Sequence, residues 1–169
     1  MSVENIIPEH LGSLIEKLQE MGADIDVHND SVIVNAHDNL TAVDVKTQGF
    51  PGFPTDLQQP LVTLLTQAHG KSEVVETIYE NRFMNVKYLN KMGANISVKE
   101  RTATILGPNK LHGAEVEATD LRGAASLLLA ALKADGKTTI TNVEHLLRGY
   151  SDIIEKLSNL GAKIELKEI

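Results

Sequence analysis

Five charged side chains stand where chemistry is conceivable: Asp56, Arg82, Asp120, Arg122 and Arg148. Asp56 lies in TDLQQPLVTLL, where Thr55, with Gln58 three residues on, fits a capping box that opens a helix. A carboxylate in a first helical turn complements the helix dipole, and beside a Gly/Pro-rich loop it can also accept a proton from a substrate hydroxyl. Asp120 occupies the matching place in TDLRGAASLLLAALK, as duplication alone would produce. Arg122 replaces Gln58 in that match and has the wrong charge for a helix start, which points to an anionic partner. Arg82 and Arg148 each end an apolar run. Together with Arg122 they can clamp a carboxylate or phosphate through bidentate guanidinium forks, a bare surface ion pair being the plain alternative.

Other motifs are weaker. AHGKS (68–72) has the tail of a phosphate loop, but Leu65 stands where the first glycine belongs, which excludes a nucleoside triphosphatase. His10, His28, His37, His69, His112 and His145 fall in neither HExxH nor zinc-finger spacing, so no metal is expected. Only His145 lies close to a candidate anion ligand.

The elements that must position these groups are repeated. MGADIDV (21–27), MGANISV (92–98) and LGAKIEL (160–166) each follow a segment with apolar residues at helical spacing. Gly22, Gly93 and Gly161 read as C-caps, and the alternation after each predicts a half-buried strand. SVIVNA (31–36) and TATIL (102–106) predict a second strand in two copies. Between these marks lie two further helices, from Thr55 towards Gly70 and from Thr119 towards Gly136. Strand-like runs follow them to Arg82 and Arg148. Aligning Gly161 with Gly22 sets Arg148 opposite Glu9, so the repeat itself requires no arginine there. The period of roughly 68 residues is too long for small solenoid repeats, and the pattern reads as pseudo-symmetric βαβ-type units. QGFPGFP (48–54) has no counterpart in the second module and is a candidate site loop.

With 169 residues the chain suits one domain. Its 16 basic against 23 acidic side chains give a net charge of -7, which argues against a sequence-independent hold on nucleic acid or on an anionic membrane. No apolar run approaches the roughly 20 residues of a membrane-spanning helix. The chain has no cysteine, hence no disulfide, thiolate metal site or cysteine nucleophile. No secretory signal is read at the N-terminus, and a cytoplasmic location is the expectation.

GFPTDLQ (52–58), ENRFM (80–84), ATDLRGAASL (118–127) and HLLRGY (145–150), in this order over essentially the whole chain, resemble the enolpyruvyl transferases. Within that family the set points to the branch acting on UDP-N-acetylglucosamine rather than to the shikimate-pathway branch. The resemblance implies an inside-out α/β barrel of repeated βαβαββ units, here one incomplete barrel of the usual two. Residues 1–169 would form a single C-terminal barrel with two full repeat modules flanked by partial ones. It implies transfer of the enolpyruvyl group of phosphoenolpyruvate to the 3-hydroxyl of UDP-N-acetylglucosamine, releasing phosphate in peptidoglycan synthesis, with no cofactor.

By the same resemblance Asp56 would be the base near the sugar hydroxyl, and Ile78 would touch the UDP-sugar through its backbone. Arg82 and Arg148 would hold phosphoenolpyruvate, while Asp120 and Arg122 would line the cleft and assist proton movement. The family's loop cysteine, its loop arginine and an N-terminal lysine and asparagine match nothing here. The isolated chain is therefore expected to be inactive or nearly so without an N-terminal barrel supplied in cis or in trans. The other open reading is a non-catalytic UDP-sugar-binding or regulatory module that keeps the barrel and not the chemistry.

Overall fold

The computed structural model describes residues 1–35 and 39–167. Ala36 and His37 of the readings above lie outside the described residues.

Strands and helices alternate along the chain as the repeat requires. The first sheet has the order β1 (Ser2–Glu4), β3 (Ser31–Asn35), β2 (Asp24–Val27), all antiparallel. Helix α1 (Gly12–Glu20) precedes its hairpin. The second sheet runs β4 (Val45–Lys46), β5 (Gly70–Val75), β7 (Thr102–Gly107), β6 (Ile96–Lys99), with β4 parallel to β5 and the other pairs antiparallel. Helix α2 (Thr55–Leu65) crosses from β4 to β5, and α3 (Val86–Lys91) leads into β6. The third sheet pairs β8 (Glu115–Glu117) with β9 (Thr139–Thr141) in parallel, joined by α4 (Leu121–Lys133). Helices α5 (Glu144–Gly149) and α6 (Ile153–Asn159) follow.

The three glycines behave as their spacing predicts. Gly22, Gly93 and Gly161 have φ of 93°, 99° and 97°, the left-handed region that releases a chain from a helix end. The two helices read as reaching Gly70 and Gly136 stop earlier, at Leu65 and Lys133.

One expected strand is absent, and the runs towards Arg82 and Arg148 stay strands only as far as Val75 and Thr141. Residues 162–167 form no strand. Matching Gly161 to Gly93 puts this segment in the place of β6, whose ladder is with β7 alone. Among the described residues nothing takes the place of β7 in the third sheet, so the segment has no ladder to join, and Ile164 only packs against a small apolar cluster. The run to Arg148 leaves the strand state at Asn142, whose φ of 57° ends β9. Val143 then caps α5, which buries Leu146 against Ala124 and Leu128 of α4.

The sheets lie outside and the principal helices inside. Alternate residues of β5 and β7, among them Val74, Ala103 and Ile105, face the core. Over them lie Leu61, Val62 and Leu65 of α2 and Leu127 and Ala130 of α4. The two helices also share a polar seam: the Thr63 hydroxyl meets the Ser126 hydroxyl at 2.7 Å, and Asn85 Nδ2 donates to that same Ser126 oxygen at 2.7 Å. Contacts pair Asp56 with Arg122, Gln59 with Asp120 and Thr63 with Ser126, so α2 and α4 run parallel with both N-termini at one end.

A Cβ on Gly93 would sit 2.9 Å from Lys110 O and from His112 Nδ1, whereas one on Gly161 meets nothing within 4 Å. Gly161→Ala is expected to lower stability by about 1 kcal/mol for its backbone strain alone. Gly93→Ala should cost clearly more, and urea denaturation of the two variants checks the order.

Candidate active site

The two TDL segments start their helices out of step. In α4, Asp120 is the N-cap, and its Oδ1 accepts from the backbone N–H groups of Arg122 at 2.9 Å and Gly123 at 3.0 Å. Its Oδ2 accepts from the Thr119 hydroxyl at 3.1 Å and from Gln59 Nε2 at 3.3 Å. In α2, Pro54 is the N-cap, with its extended backbone, and Thr55 is already helical. The expected capping box is therefore not formed. The Thr55 hydroxyl donates instead to Glu76 Oε2 at 3.0 Å, and Gln58 is fully buried with neither amide atom partnered among the described residues. Because its helix starts earlier, Asp56 points its carboxylate away from the backbone of α2.

That carboxylate bridges two arginines. Asp56 Oδ1 accepts from Arg82 Nη2 at 2.5 Å, and Oδ2 accepts from Arg122 Nη2 at 2.8 Å. Arg82 is 13% exposed, Arg122 27% and Asp56 53%, so a half-open carboxylate sits over two largely sheltered cations. Each guanidinium has a tyrosine beside it. Arg82 lies 4.8 Å from the centroid of the Tyr79 ring, and Arg122 Nη1 donates to the Tyr150 hydroxyl at 2.9 Å. The apparently wrong charge of Arg122 at a helix start is met by Asp56 of the neighbouring helix.

These contacts set the charges. The hydrogen bond from Arg122, helped by the positive fields of Arg122 and Arg82, outweighs partial burial and holds the Asp56 carboxyl below its usual range. Burial opposes ionisation of Asp120, but the hydrogen bonds from Gly123, Gln59, Arg122 and Thr119 together overcome it, and its carboxyl is also lowered. The Asp56 bond pushes Arg122 up.

Of the residues singled out in the sequence, Asp56, Arg82, Asp120 and Arg122 gather at the shared N-terminal end of α2 and α4. Arg148 lies exposed on α5 and forms no hydrogen bond or ion pair among the described residues. Its place beside Arg122 is taken by Tyr150, two residues on in the same HLLRGY motif. Ile78 is 49% exposed, and its N–H is spent on Glu76 Oε1 at 2.7 Å, which leaves its carbonyl as the backbone group open to a ligand. The 48–54 segment forms a turn beside the site with Phe50 81% exposed, and the Ser13 hydroxyl donates to Gly52 O at 3.2 Å. Among the described residues no group of three or more His, Asp or Glu side chains is arranged to hold a metal, and no helix is long and apolar enough to cross a membrane.

A family model described as EPSP synthase (3-phosphoshikimate 1-carboxyvinyltransferase) matches residues 1–157. UDP-N-acetylglucosamine 1-carboxyvinyltransferase 2 of Listeria monocytogenes is 51% identical over 162 residues, covering 96% of this chain and 38% of that protein. Its namesake from Geobacillus kaustophilus is 53% identical over 162 residues, with the same coverage of 96% and 38%. UDP-N-acetylglucosamine 1-carboxyvinyltransferase 1 of Streptococcus agalactiae is 52% identical over 168 residues, covering 99% and 40%. The chain thus spans about two fifths of the length of these relatives. The crystal structure of the enolpyruvyl transferase NikO from Streptomyces tendae superposes with a TM-score of 0.90 at 33% identity, over 97% of this chain and 39% of that one. EPSP synthase from Acinetobacter baumannii gives 0.70 at 20% identity over 92% and 37%, a likeness of fold alone.

Asp120→Ala is expected to cost about 1 kcal/mol of stability near neutral pH through loss of the helix cap. A depressed carboxyl stabilises the fold above the ordinary carboxyl range and loses that contribution as pH falls through its lowered value. The gap between wild type and Asp120→Ala should therefore close at low pH, which urea denaturation at neutral and acidic pH measures.

Proposed function

The chain belongs to the enolpyruvyl transferase family, and on that premise we propose that it forms one wall of a site that transfers enolpyruvyl from phosphoenolpyruvate to the 3-hydroxyl of UDP-N-acetylglucosamine. The observation that carries the reading is the Asp56 carboxylate held between Arg82 and Arg122, which join α2, the segment after β5, and α4. The matching names of the curated relatives support the substrate pair.

Addition of a hydroxyl to phosphoenolpyruvate needs a base for the hydroxyl proton, an acid that protonates the methylene carbon, and cations for the carboxylate and phosphate. Asp56 is the base in this reading. While both arginines grip it, its proton affinity is depressed; when they turn to an anionic substrate, that affinity recovers. Arg82 and Arg122 are the cations, and in this reading Arg148, exposed on α5 two residues before the Tyr150 that meets Arg122, is the third. Asp120 serves mainly by fixing the start of α4 and so the backbone of Arg122. Ile78 offers its carbonyl to the UDP-sugar.

The acid belongs to the part of the family's site that this chain does not match, since the chain has no cysteine. Residues 1–169 accordingly make up one incomplete C-terminal barrel, two full repeat modules flanked by partial ones, that works with an N-terminal barrel in cis or in trans. Closure of the two barrels on the substrates completes such a site. The reaction is placed in peptidoglycan synthesis, and so in cell-wall biogenesis, cell shape and cell division, with the cytoplasm as its location.

UDP-N-acetylglucosamine added to the 15N-labelled chain is expected to shift the NMR signals of Asp56 and Ile78, and Asp56→Ala should weaken that binding. Phosphate release from the two substrates should be undetectable for the chain alone. It should appear when the N-terminal barrel of a relative is supplied, and disappear again with Asp56→Asn. Binding without turnover in the complemented protein would instead identify a non-catalytic UDP-sugar-binding or regulatory module.

A further inference from the structure

Glu76 is 1% exposed, with four hydrogen bonds to its carboxylate. Oε1 accepts from the Thr47 hydroxyl at 2.9 Å and from the N–H groups of Ile78 at 2.7 Å and Tyr79 at 3.0 Å. Oε2 accepts from the Thr55 hydroxyl at 3.0 Å. Thr47 and Thr55 bracket the 48–54 insertion, and Ile78 and Tyr79 begin the turn that leads to Arg82. One buried side chain therefore ties both ends of the inserted loop, the first turn of α2 and the approach to Arg82.

The duplication supplies an internal control. Equivalent backbone bonds run from Thr47 N to Val75 O at 2.9 Å and from Ala118 N to Thr141 O at 3.0 Å, so Ala118 corresponds to Thr47 and Asn142 to Glu76. The second module has no insertion and closes the same corner with a neutral bond from Asn142 Nδ2 to Ala118 O at 3.1 Å. The fold is thus built without a carboxylate at this corner. A fully buried carboxylate is costly unless every lone pair is satisfied. Here it is found in the one of these two modules that carries the loop and the exposed aspartate.

We propose that Glu76 is a positioning residue of the site, holding the inserted loop, the start of α2 and the turn before Arg82 in the one arrangement that lets Asp56 meet Arg82. This rests on the reading of Asp56 and Arg82 as substrate-facing groups. Its test is made on the ligand-free chain, so that it stands or falls apart from the substrate assignment.

The Asp56 carboxyl is titrated by 13C NMR in wild type, Glu76→Ala, Glu76→Gln, Thr55→Val and Val74→Ala, with urea denaturation of each. In Glu76→Ala the Asp56 titration is expected to move up by the part that Arg82 supplies, while Arg122 still holds the other carboxylate oxygen. Glu76→Gln keeps an acceptor for Thr47, Ile78 and Tyr79 and should leave Asp56 low. Val74→Ala removes core packing on the same strand and should lower stability while Asp56 stays low. Should Glu76→Ala fail to fold, Thr55→Val decides, because it cuts only the link to α2 and should also move Asp56 up. An unmoved Asp56 in Glu76→Ala or, failing that, in Thr55→Val would overturn the proposal. So would an equal movement in Val74→Ala, since general loosening would then suffice. If wild type binds no UDP-N-acetylglucosamine in a separate titration, the substrate reading fails and the Glu76 result is untouched.

Discussion

The packing of α2 against α4 is the contact on which everything else at the site depends. The helices run parallel, so two positive dipole ends lie side by side, an arrangement that repels itself unless negative charge is set there. Each helix brings an aspartate to that end, but the two act differently. Asp120 folds back on its own backbone, while Asp56 reaches across to Arg122 and, with Arg82, draws in a third segment. The apolar ridge of Leu61, Leu65, Leu127 and Ala130 and the Thr63–Ser126 seam hold the helices in register. The distance between Asp56 and Arg122 is set by that register.

Much of this was legible in the sequence because the repeat carries it. The glycine marks gave the helix ends and the two hairpins, and the TDLQ/TDLR mismatch singled out Arg122 as a charge in need of a partner. What local pattern missed were features decided by residues far along the chain. Thr55 and Gln58 have capping-box spacing, but Pro54 starts the helix early and Glu76, 21 residues on, takes the Thr55 hydroxyl. Residues 162–167 alternate as a strand should, yet a strand is a property of its neighbour's ladder as much as of its own residues. VEHLLR reads as apolar enough for a strand; Asn142 in the left-handed region and the face of α4 decide for a helix.

The site residues divide in the same way. Asp56, Arg82 and Arg122 meet as their types suggested, whereas Arg148 is left without a partner among the described residues and Tyr150 stands in the contact. Glu76 gave no signal, for an acidic residue after a strand is ordinarily a solvated one. Only the comparison of the two modules, Thr47 and Glu76 against Ala118 and Asn142, makes it stand out. Such a comparison requires the register of both sheets, which the sequence alone leaves open by a residue or two.

The carboxylate between the two guanidiniums means that this cationic site already holds its own counter-ion. An incoming anion does not simply occupy vacant charge; it competes with a tethered one at high local concentration. Affinity at such a site is a difference between two sets of similar bonds, smaller than the bonds themselves suggest. Selection shifts with it, from charge, which the resident carboxylate also has, to whatever else the incoming molecule brings. A lone small anion gains little by the exchange, and one attached to a larger, well-fitted body gains more.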